Sequence, residues 1–131
     1  MLQHNKREDS ISEGLYVAVS LSMPRVTLER LYKEVTKAGG KLIIRGLKNN
    51  SFTETVEVVK ALSDEGIAID INPGIFTKYR IERVPYFVLI SDNGEDSILG
   101  NISLSYVLEE FKRAGETKEE VSRCLAKLSY R

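Results

Sequence analysis

Four consecutive residues, Ser22, Met23, Pro24 and Arg25, occupy a position where redox enzymes carry their reactive groups. They follow an apolar segment of strand length and precede a segment with helical periodicity. In thiol oxidoreductases this junction holds a Cys-x-x-Cys pair, because the N-terminus of a helix stabilises a thiolate. Here Ser22 takes the place of the first cysteine and Arg25 the place of the second. Dithiol exchange is therefore excluded.

Nucleophilic chemistry by Ser22 is also disfavoured. A serine nucleophile needs a neighbouring base, and the one histidine, His4, lies in the polar N-terminal segment. We interpret Ser22 as the N-cap of the following helix and Pro24 as its first residue, which are favoured places for these residue types. The alternative is an enzyme that uses an external thiol such as glutathione, bound near Ser22 at the helix N-terminus.

The other residues that could take part in catalysis or metal binding have no suitable partner residue nearby in the sequence. Cys124 is the single cysteine, so no disulfide within the chain is possible, and its place beside an apolar helix face indicates a packed residue. Asp70 is expected on the outward face of an edge segment, without a second carboxylate to work with. His4 has no neighbouring His or Cys, so we predict neither a metal site nor a cofactor.

Arg45 ends the second predicted strand and allows two interpretations. Its guanidinium can bind a carboxylate of a partner protein at the end of the strand. Alternatively it caps that strand or pairs with an acid of the same chain such as Glu54. The sequence does not decide between these two roles.

Composition indicates an ordinary globular domain. The 131 residues include 19 basic and 19 acidic residues, so the net charge is zero, which argues against nucleic acid or an anionic membrane as the main partner. No stretch approaches the roughly 18 apolar residues of a membrane span. Residues 1–13 are polar and lack the apolar core of a signal peptide. We expect a flexible leader over residues 1–13 and a single domain over residues 14–131.

The elements that must position these residues follow from hydrophobic periodicity and turn signals. Strands are predicted at residues 15–21, 41–46, 67–71, 85–90 and 97–99, and helices at residues 22–38, 52–64, 73–79 and 104–114, with a last helix that begins at Thr117. Two initial strand–helix units require parallel pairing, and the turn at residues 92–95 requires an antiparallel hairpin. The expected fold class is α/β: a thioredoxin-like, mixed central sheet flanked by helices, with an extra C-terminal helix and no Cys-x-x-Cys pair.

Several finer expectations accompany these elements. Phe52, Val56, Val59 and Leu62 are expected to face the core from the second helix. Capping boxes are predicted at residues 51–54 and 117–120. Pro85 is expected at the start of its strand, where the Val84–Pro85 bond can be cis at modest cost.

Six segments carry a family resemblance: residues 19–24, 42–47, 49–52, 69–76, 79–88 and 100–108. On these segments the chain resembles the TrbC family of F-type conjugative pilus assembly proteins, whose core is thioredoxin-like. The Ser-Met-Pro and Arg-Gly-Leu blocks are its more specific features. The Val-Pro and Gly-x-x-Ser elements are common to thioredoxin-like folds.

The resemblance implies a non-enzymatic, protein-binding component of a conjugative type IV secretion system in a Gram-negative bacterium. It implies action in pilus assembly in the periplasm, which requires that a signal peptide has been removed. The implied partner is a TraW-like assembly protein or another component of the secretion system. A homo-oligomer formed through the helix beyond Gly115 is a further hypothesis.

The candidate contact surface is a rim of two segments that thioredoxin folds place side by side. The rim consists of Ser22, Met23, Pro24, Val84, Pro85 and Tyr86, with Arg45 as a further candidate. An extended peptide would bind there by backbone pairing with the residue before the proline. We expect substitutions at Met23 and Tyr86 to weaken binding of the partner.

Overall fold

Five strands form one mixed sheet in the computed structural model, which describes residues 11–130. The strands are β1 (Gly14–Ala18), β2 (Lys41–Ile44), β3 (Ile69–Ile71), β4 (Tyr86–Ser91) and β5 (Gly94–Leu99). Their order across the sheet is β3-β2-β1-β4-β5. Parallel pairs join β1 to β2 and β2 to β3, and antiparallel pairs join β1 to β4 and β4 to β5. The predicted parallel units and the predicted hairpin are thereby confirmed.

Helices cover both sides of this sheet. They are α1 (Arg25–Lys37), α2 (Phe52–Asp64), α3 (Pro73–Lys78), α4 (Leu104–Ala114) and α5 (Lys118–Ser129). The larger apolar cluster contains residues of α1, α2, α4 and α5, and the smaller one contains residues of α3. Alternate residues of β1 enter the two clusters, as the two-residue repeat of a strand requires. Among residues 11–130, the helices lack the combination of length and hydrophobicity that a membrane span requires.

The first strand and first helix differ from the prediction at their junction. β1 ends at Ala18, and a turn follows in which the Met23 N–H donates to the Ser20 carbonyl at 3.1 Å. The N-cap of α1 is Pro24, whose carbonyl accepts the Leu28 N–H at 3.1 Å. The prediction of Ser22 as N-cap and Pro24 as first helical residue is therefore wrong. The Ser22 hydroxyl lies instead 2.8 Å from the Ser20 hydroxyl.

Two of the four residues predicted to face the core from the second helix do so: Leu62 is buried, and Val59 packs against the larger apolar cluster. Phe52 is 67% exposed and Val56 is 42% exposed, so the prediction that they face inward is wrong. Thr55 is fully buried in their stead. Its hydroxyl donates to the Ser51 carbonyl at 2.7 Å and accepts the Lys48 N–H at 2.5 Å. Because both hydrogen-bonding roles of the hydroxyl are satisfied, burial of this polar side chain carries little penalty.

The start of α5 is held by a strand and not by its own side chain. The Asp96 carboxylate, on β5, accepts the backbone N–H groups of Glu116 and Thr117, each at 3.0 Å. It also accepts the Thr117 hydroxyl at 2.5 Å. The capping box predicted for residues 117–120 is wrong, because the Thr117 side chain accepts no N–H group of α5 and its hydroxyl donates to Asp96 instead. This carboxylate joins the C-terminal helix to the hairpin.

Three smaller expectations concern the Val84–Pro85 bond, Asp70 and the predicted leader. The Val84–Pro85 bond is cis, and β4 begins directly after Pro85, close to the predicted position. Asp70 lies exposed on the edge strand β3 and pairs with Lys41 at 3.5 Å, as an outward-facing residue should. Residues 1–10 of the predicted leader, His4 among them, lie outside the described residues.

Candidate functional site

A cleft of about 410 Å³ opens at one edge of the sheet. Three stretches line this strand-end cleft: residues 19–22 after β1, residues 44–49 after β2, and Phe76, Ile81, Glu82 and Val84 before β4. Since β1 and β2 are parallel, their carboxyl ends meet at one edge, and the antiparallel β4 brings the residues before it to the same edge. In open α/β sheets, ligands bind at the carboxyl ends of the strands. The strand-end cleft is therefore the candidate site.

Three of the predicted site residues line the strand-end cleft, namely Ser22, Arg45 and Val84. They are distant in sequence and are brought together by the pairing of β1 with β2 and β4. Ser22 and Arg45 are exposed, and Val84 is half-buried. The two segments of the predicted rim therefore meet in one cleft, through Ser22 from the first and Val84 from the second.

The other four predicted residues do not line the strand-end cleft. Met23 and Tyr86 are half-buried and pack against the apolar clusters on opposite sides of the sheet. The Tyr86 hydroxyl lies 2.9 Å from the Ser97 hydroxyl on β5. Pro24 is exposed at the N-cap of α1, and Pro85 is buried. These four residues border the cleft segments in the chain, but their side chains are not part of the cleft wall.

Arg45 is held in place by groups that leave most of its donors available. Its Nη2 donates to the Ile81 carbonyl at 2.6 Å, and its guanidinium carbon lies 5.3 Å from the centre of the Phe76 ring. Glu54, the acid considered as a partner from the sequence, accepts instead the side-chain amide of Asn49 at 3.0 Å. No ion pair within residues 11–130 uses Arg45. The ion pair with Glu54, which was one form of the intrachain interpretation, is therefore absent from the structure.

Sequence reasoning missed three prominent cleft residues, Leu47, Lys48 and Glu82. All three side chains are exposed and line the cleft. The available signal was their position: Leu47 and Lys48 directly follow the end of β2, and Glu82 lies shortly before β4. Such strand-end loops carry binding residues more often than the strands themselves.

The lining provides hydrogen-bond donors, charges and apolar surface. The hydroxyls of Ser20 and Ser22 bond to each other at 2.8 Å, and the Ser22 N–H donates to the Ser20 hydroxyl at 3.2 Å. Among the described residues that line the cleft there is neither cysteine nor histidine. An arrangement of this kind suits binding of an extended segment of another protein.

Cys124 lies in a second depression, of about 260 Å³, between the start of β1 and α5. It is half-buried and packs against the larger apolar cluster, as the sequence predicts. Burial raises the pKa of the Cys124 thiol, and the nearby Lys127 and Arg123 lower it by less. A raised pKa is the opposite of what a redox sensor needs.

Iodoacetamide is expected to alkylate Cys124 several-fold more slowly than free cysteine at mildly alkaline pH. The thiolate is the reacting form, and the raised pKa reduces its fraction at any given pH below that of an ordinary thiol. Mass spectrometry of quenched samples measures the rate, with protein unfolded in urea as the control, where the rate should match that of free cysteine. Equal rates in the folded and unfolded protein would contradict the burial.

Three carboxylates, of Glu13, Asp92 and Glu120, offer oxygen atoms within 4.8 Å of one another near this second depression. Glu13 and Asp92 are exposed. The side chains of Arg123 and Lys127 line the same depression as Glu13 and Glu120. Because these cations can balance the negative charge, we assign no metal to the carboxylates.

The chain is similar in sequence to a known protein family and to a curated bacterial protein. The family model described as "Type-F conjugative transfer system pilin assembly protein" matches residues 17–111, which include the whole strand-end cleft. The Escherichia coli K12 protein named "Periplasmic protein TrbC" is 29% identical over 126 residues. That alignment covers 95% of this chain and 59% of the relative, so the chain spans less than two thirds of its length. No solved structure matches the chain significantly.

Proposed function

The chain belongs to the family of type-F conjugative transfer system pilin assembly proteins, and on that basis we propose that it takes part in assembling the conjugative pilus. The similar Escherichia coli protein is named as periplasmic, so the same compartment is proposed for this chain. The proposed role is non-catalytic. In it, the strand-end cleft binds a segment of another protein of the transfer system.

The observation that carries this role is a pair of unbonded backbone groups on one residue of the cleft. No backbone hydrogen bond among the described residues uses the N–H or C=O group of Val84, which lines the cleft just before β4. Free N–H and C=O groups beside a sheet are what an incoming extended segment pairs with. Side chains around the cleft then select which segment binds.

A thioredoxin-like fold for residues 14–131 belongs to the same proposal. Its support is the strand order β3-β2-β1-β4-β5, with β1 in the centre, parallel to β2 and antiparallel to β4. The helices on both sides of this sheet support it further. In folds of that type, the cleft edge is also where extended peptides bind.

The proposed partner is a TraW-like assembly protein or another component of the secretion system. A glutathione-dependent enzyme has less support, because the Ser22 hydroxyl is bonded to Ser20 and lies before the N-cap Pro24 of α1. Calorimetry with millimolar glutathione separates the two functions. Measurable heat of binding in the strand-end cleft would favour the enzyme.

A homo-oligomer formed through α5 also has less support. The apolar side of this helix packs on the protein's own core: Val121 is fully buried, and Leu125 and Leu128 are half-buried against the larger cluster. A dimer that used the same side would have to separate these contacts first. Sedimentation of the whole chain at several concentrations measures whether it self-associates.

Gly46→Tyr is expected to weaken binding of the TraW-like partner at least tenfold (about 1.4 kcal/mol). Gly46 lines the strand-end cleft, and a Cβ added there meets no atom within 4 Å, so the ring would fill the cleft without disturbing the fold. Calorimetric titration of purified partner into each variant measures the affinity. Ala61→Tyr is the matched control, because Ala61 is exposed on α2 and does not line the cleft.

The same titrations separate the strand-end cleft from the rim predicted on sequence grounds. If Gly46→Tyr binds the partner as tightly as Ala61→Tyr does, the cleft is not the contact surface. If Met23→Ala and Tyr86→Ala lower the affinity and Gly46→Tyr does not, the partner binds to the rim and not to the strand-end cleft.

A further inference from the structure

We infer that the strand-end cleft selects an extended segment in which a carboxylate side chain stands beside apolar side chains. The inference rests on the proposed function, since it names the chemistry of the segment that the same cleft would bind. It commits to a segment of a partner protein. Three features support the inference: the charges of the cleft, the fixed position of the Arg45 side chain, and the apolar surface next to the cleft.

The first feature is an excess of cations. Arg45 and Lys48 line the strand-end cleft, and Glu82 is the one acidic residue among the described lining residues. None of the ion pairs formed within residues 11–130 includes Arg45, Lys48 or Glu82. The side chains that line the cleft therefore carry two positive charges and one negative charge. A negatively charged segment gains Coulomb energy that a neutral or basic segment does not.

The second feature is that the Arg45 guanidinium is already positioned. The Ile81 carbonyl accepts one of its N–H groups at 2.6 Å, and the Phe76 ring lies 5.3 Å from its central carbon. A guanidinium has five N–H donors in a rigid plane, so donors remain for two parallel bonds to a carboxylate. Because this side chain is already held, less conformational entropy is lost when the ligand binds.

The third feature is apolar surface that continues from the cleft along the chain. Leu47, in the cleft wall, is 49% exposed, and Phe52 and Val56 on α2 are 67% and 42% exposed. The bond from the Lys48 N–H to the Thr55 hydroxyl ties the cleft loop to the first turns of α2. Exposed apolar side chains grouped beside a polar cleft are typical of a protein-binding surface. They fit apolar residues that flank the acidic residue of the bound segment.

The test uses the full chain, immobilised, and a phage-displayed library of random dodecapeptides as the probe. Peptides recovered by the wild-type chain should be enriched in Asp or Glu next to apolar residues. The best peptide, synthesised with each acid and with its amide replacement, is then titrated against the chain. Replacement of the acid by the amide should weaken binding about tenfold, as expected for loss of a charge-assisted hydrogen bond.

Variants of the chain assign this preference to particular side chains. Arg45→Gln should weaken binding of the acidic peptide about tenfold and Lys48→Gln about threefold, while neither changes binding of the amide peptide. Glu82→Gln should tighten binding of the acidic peptide. Lys112→Gln is the matched control, because Lys112 is exposed on α4 and does not line the cleft. Melting temperatures of all variants verify that they are folded.

The outcomes distinguish failure of the inference from failure of the proposed function. Recovery of neutral or basic peptides that no longer bind to Gly46→Tyr would overturn the inference alone, since the cleft would bind segments of other chemistry. Recovery of no peptide, or of peptides that still bind to Gly46→Tyr, would overturn both. A wild-type chain that sediments as a dimer and becomes monomeric on Arg45→Gln would show a second copy as the occupant, against the partner proposed here.

Discussion

Gly40→Ala is expected to lower the free energy of unfolding by about 3 kcal/mol. Gly40 lies between α1 and β2, and an added Cβ would stand 2.5 Å from the Leu15 carbonyl oxygen and 2.8 Å from a methyl of Val35. Leu15 belongs to β1, which is paired on both sides, with β2 and with β4. The carbonyl therefore cannot move away without disturbing sheet hydrogen bonds.

Urea unfolding followed by circular dichroism measures this loss. Gly46→Ala is the matched control, because the added methyl meets no atom within 4 Å and should change stability by less than about 0.5 kcal/mol. Equal stability of the two variants would mean that Gly40 lies farther from the Leu15 carbonyl than the structure shows.

Asp96→Ala is expected to lower the free energy of unfolding by about 2 kcal/mol. The carboxylate accepts the N–H groups of Glu116 and Thr117 and the Thr117 hydroxyl, so its removal leaves these donors unpaired at the start of α5. Thr117 is fully buried, so water cannot easily replace the lost bonds. The N-terminal turn of α5 should also exchange its amide hydrogens faster.

Urea unfolding and hydrogen exchange measure the two effects of Asp96→Ala. Asp64→Ala is the control, because Asp64 is exposed at the end of α2 and takes part in no hydrogen bond or ion pair between described side chains. Asp96→Asn should be intermediate, since the amide keeps one acceptor oxygen. Faster exchange throughout α4, with α5 unchanged, would contradict the assigned contact.

The mixed sheet and most element bounds could be predicted from the sequence because each depends on local patterns. The hairpin around Asp92 and Asn93 follows from its turn residues, and the N-cap of α2 follows from Ser51, whose hydroxyl accepts the Glu54 N–H at 3.1 Å. Both signals act over a few residues. No distant contact changes them in the structure.

The errors arose where a distant or competing hydrogen bond outweighed the local pattern. Residues 117–120 have the sequence pattern of a capping box, but the Thr117 hydroxyl donates to the carboxylate of Asp96, which is distant in the chain. Thr55 is polar, yet two bonds to its loop allow it to be buried while Phe52 is exposed. Single-sequence patterns do not contain such pairings. For the same reason, two of the four core residues predicted for α2 were wrong, although the bounds of the helix were correct.

The candidate site was predictable in part. Ser22, Arg45 and Val84 could be named because strand ends and the Val-Pro step are visible in the sequence. Lys48 and Glu82 could not be distinguished from other exposed charges, since only the packing of three loops around one edge gives them a common cleft. Met23 and Tyr86 neighbour the segments that line the cleft, but the direction of a side chain depends on the exact end of a strand.

The cleft wall consists mainly of connecting segments, while the strands behind it form the buried core. Leu47 and Lys48 can therefore vary in charge and size with little cost to folding, because exposed loop substitutions change stability only slightly. If the strand-end cleft binds the partner as proposed, exchanges of these side chains would change the partner and leave the scaffold unchanged. On the proposed function, a handful of exposed side chains would then decide which protein the cleft binds.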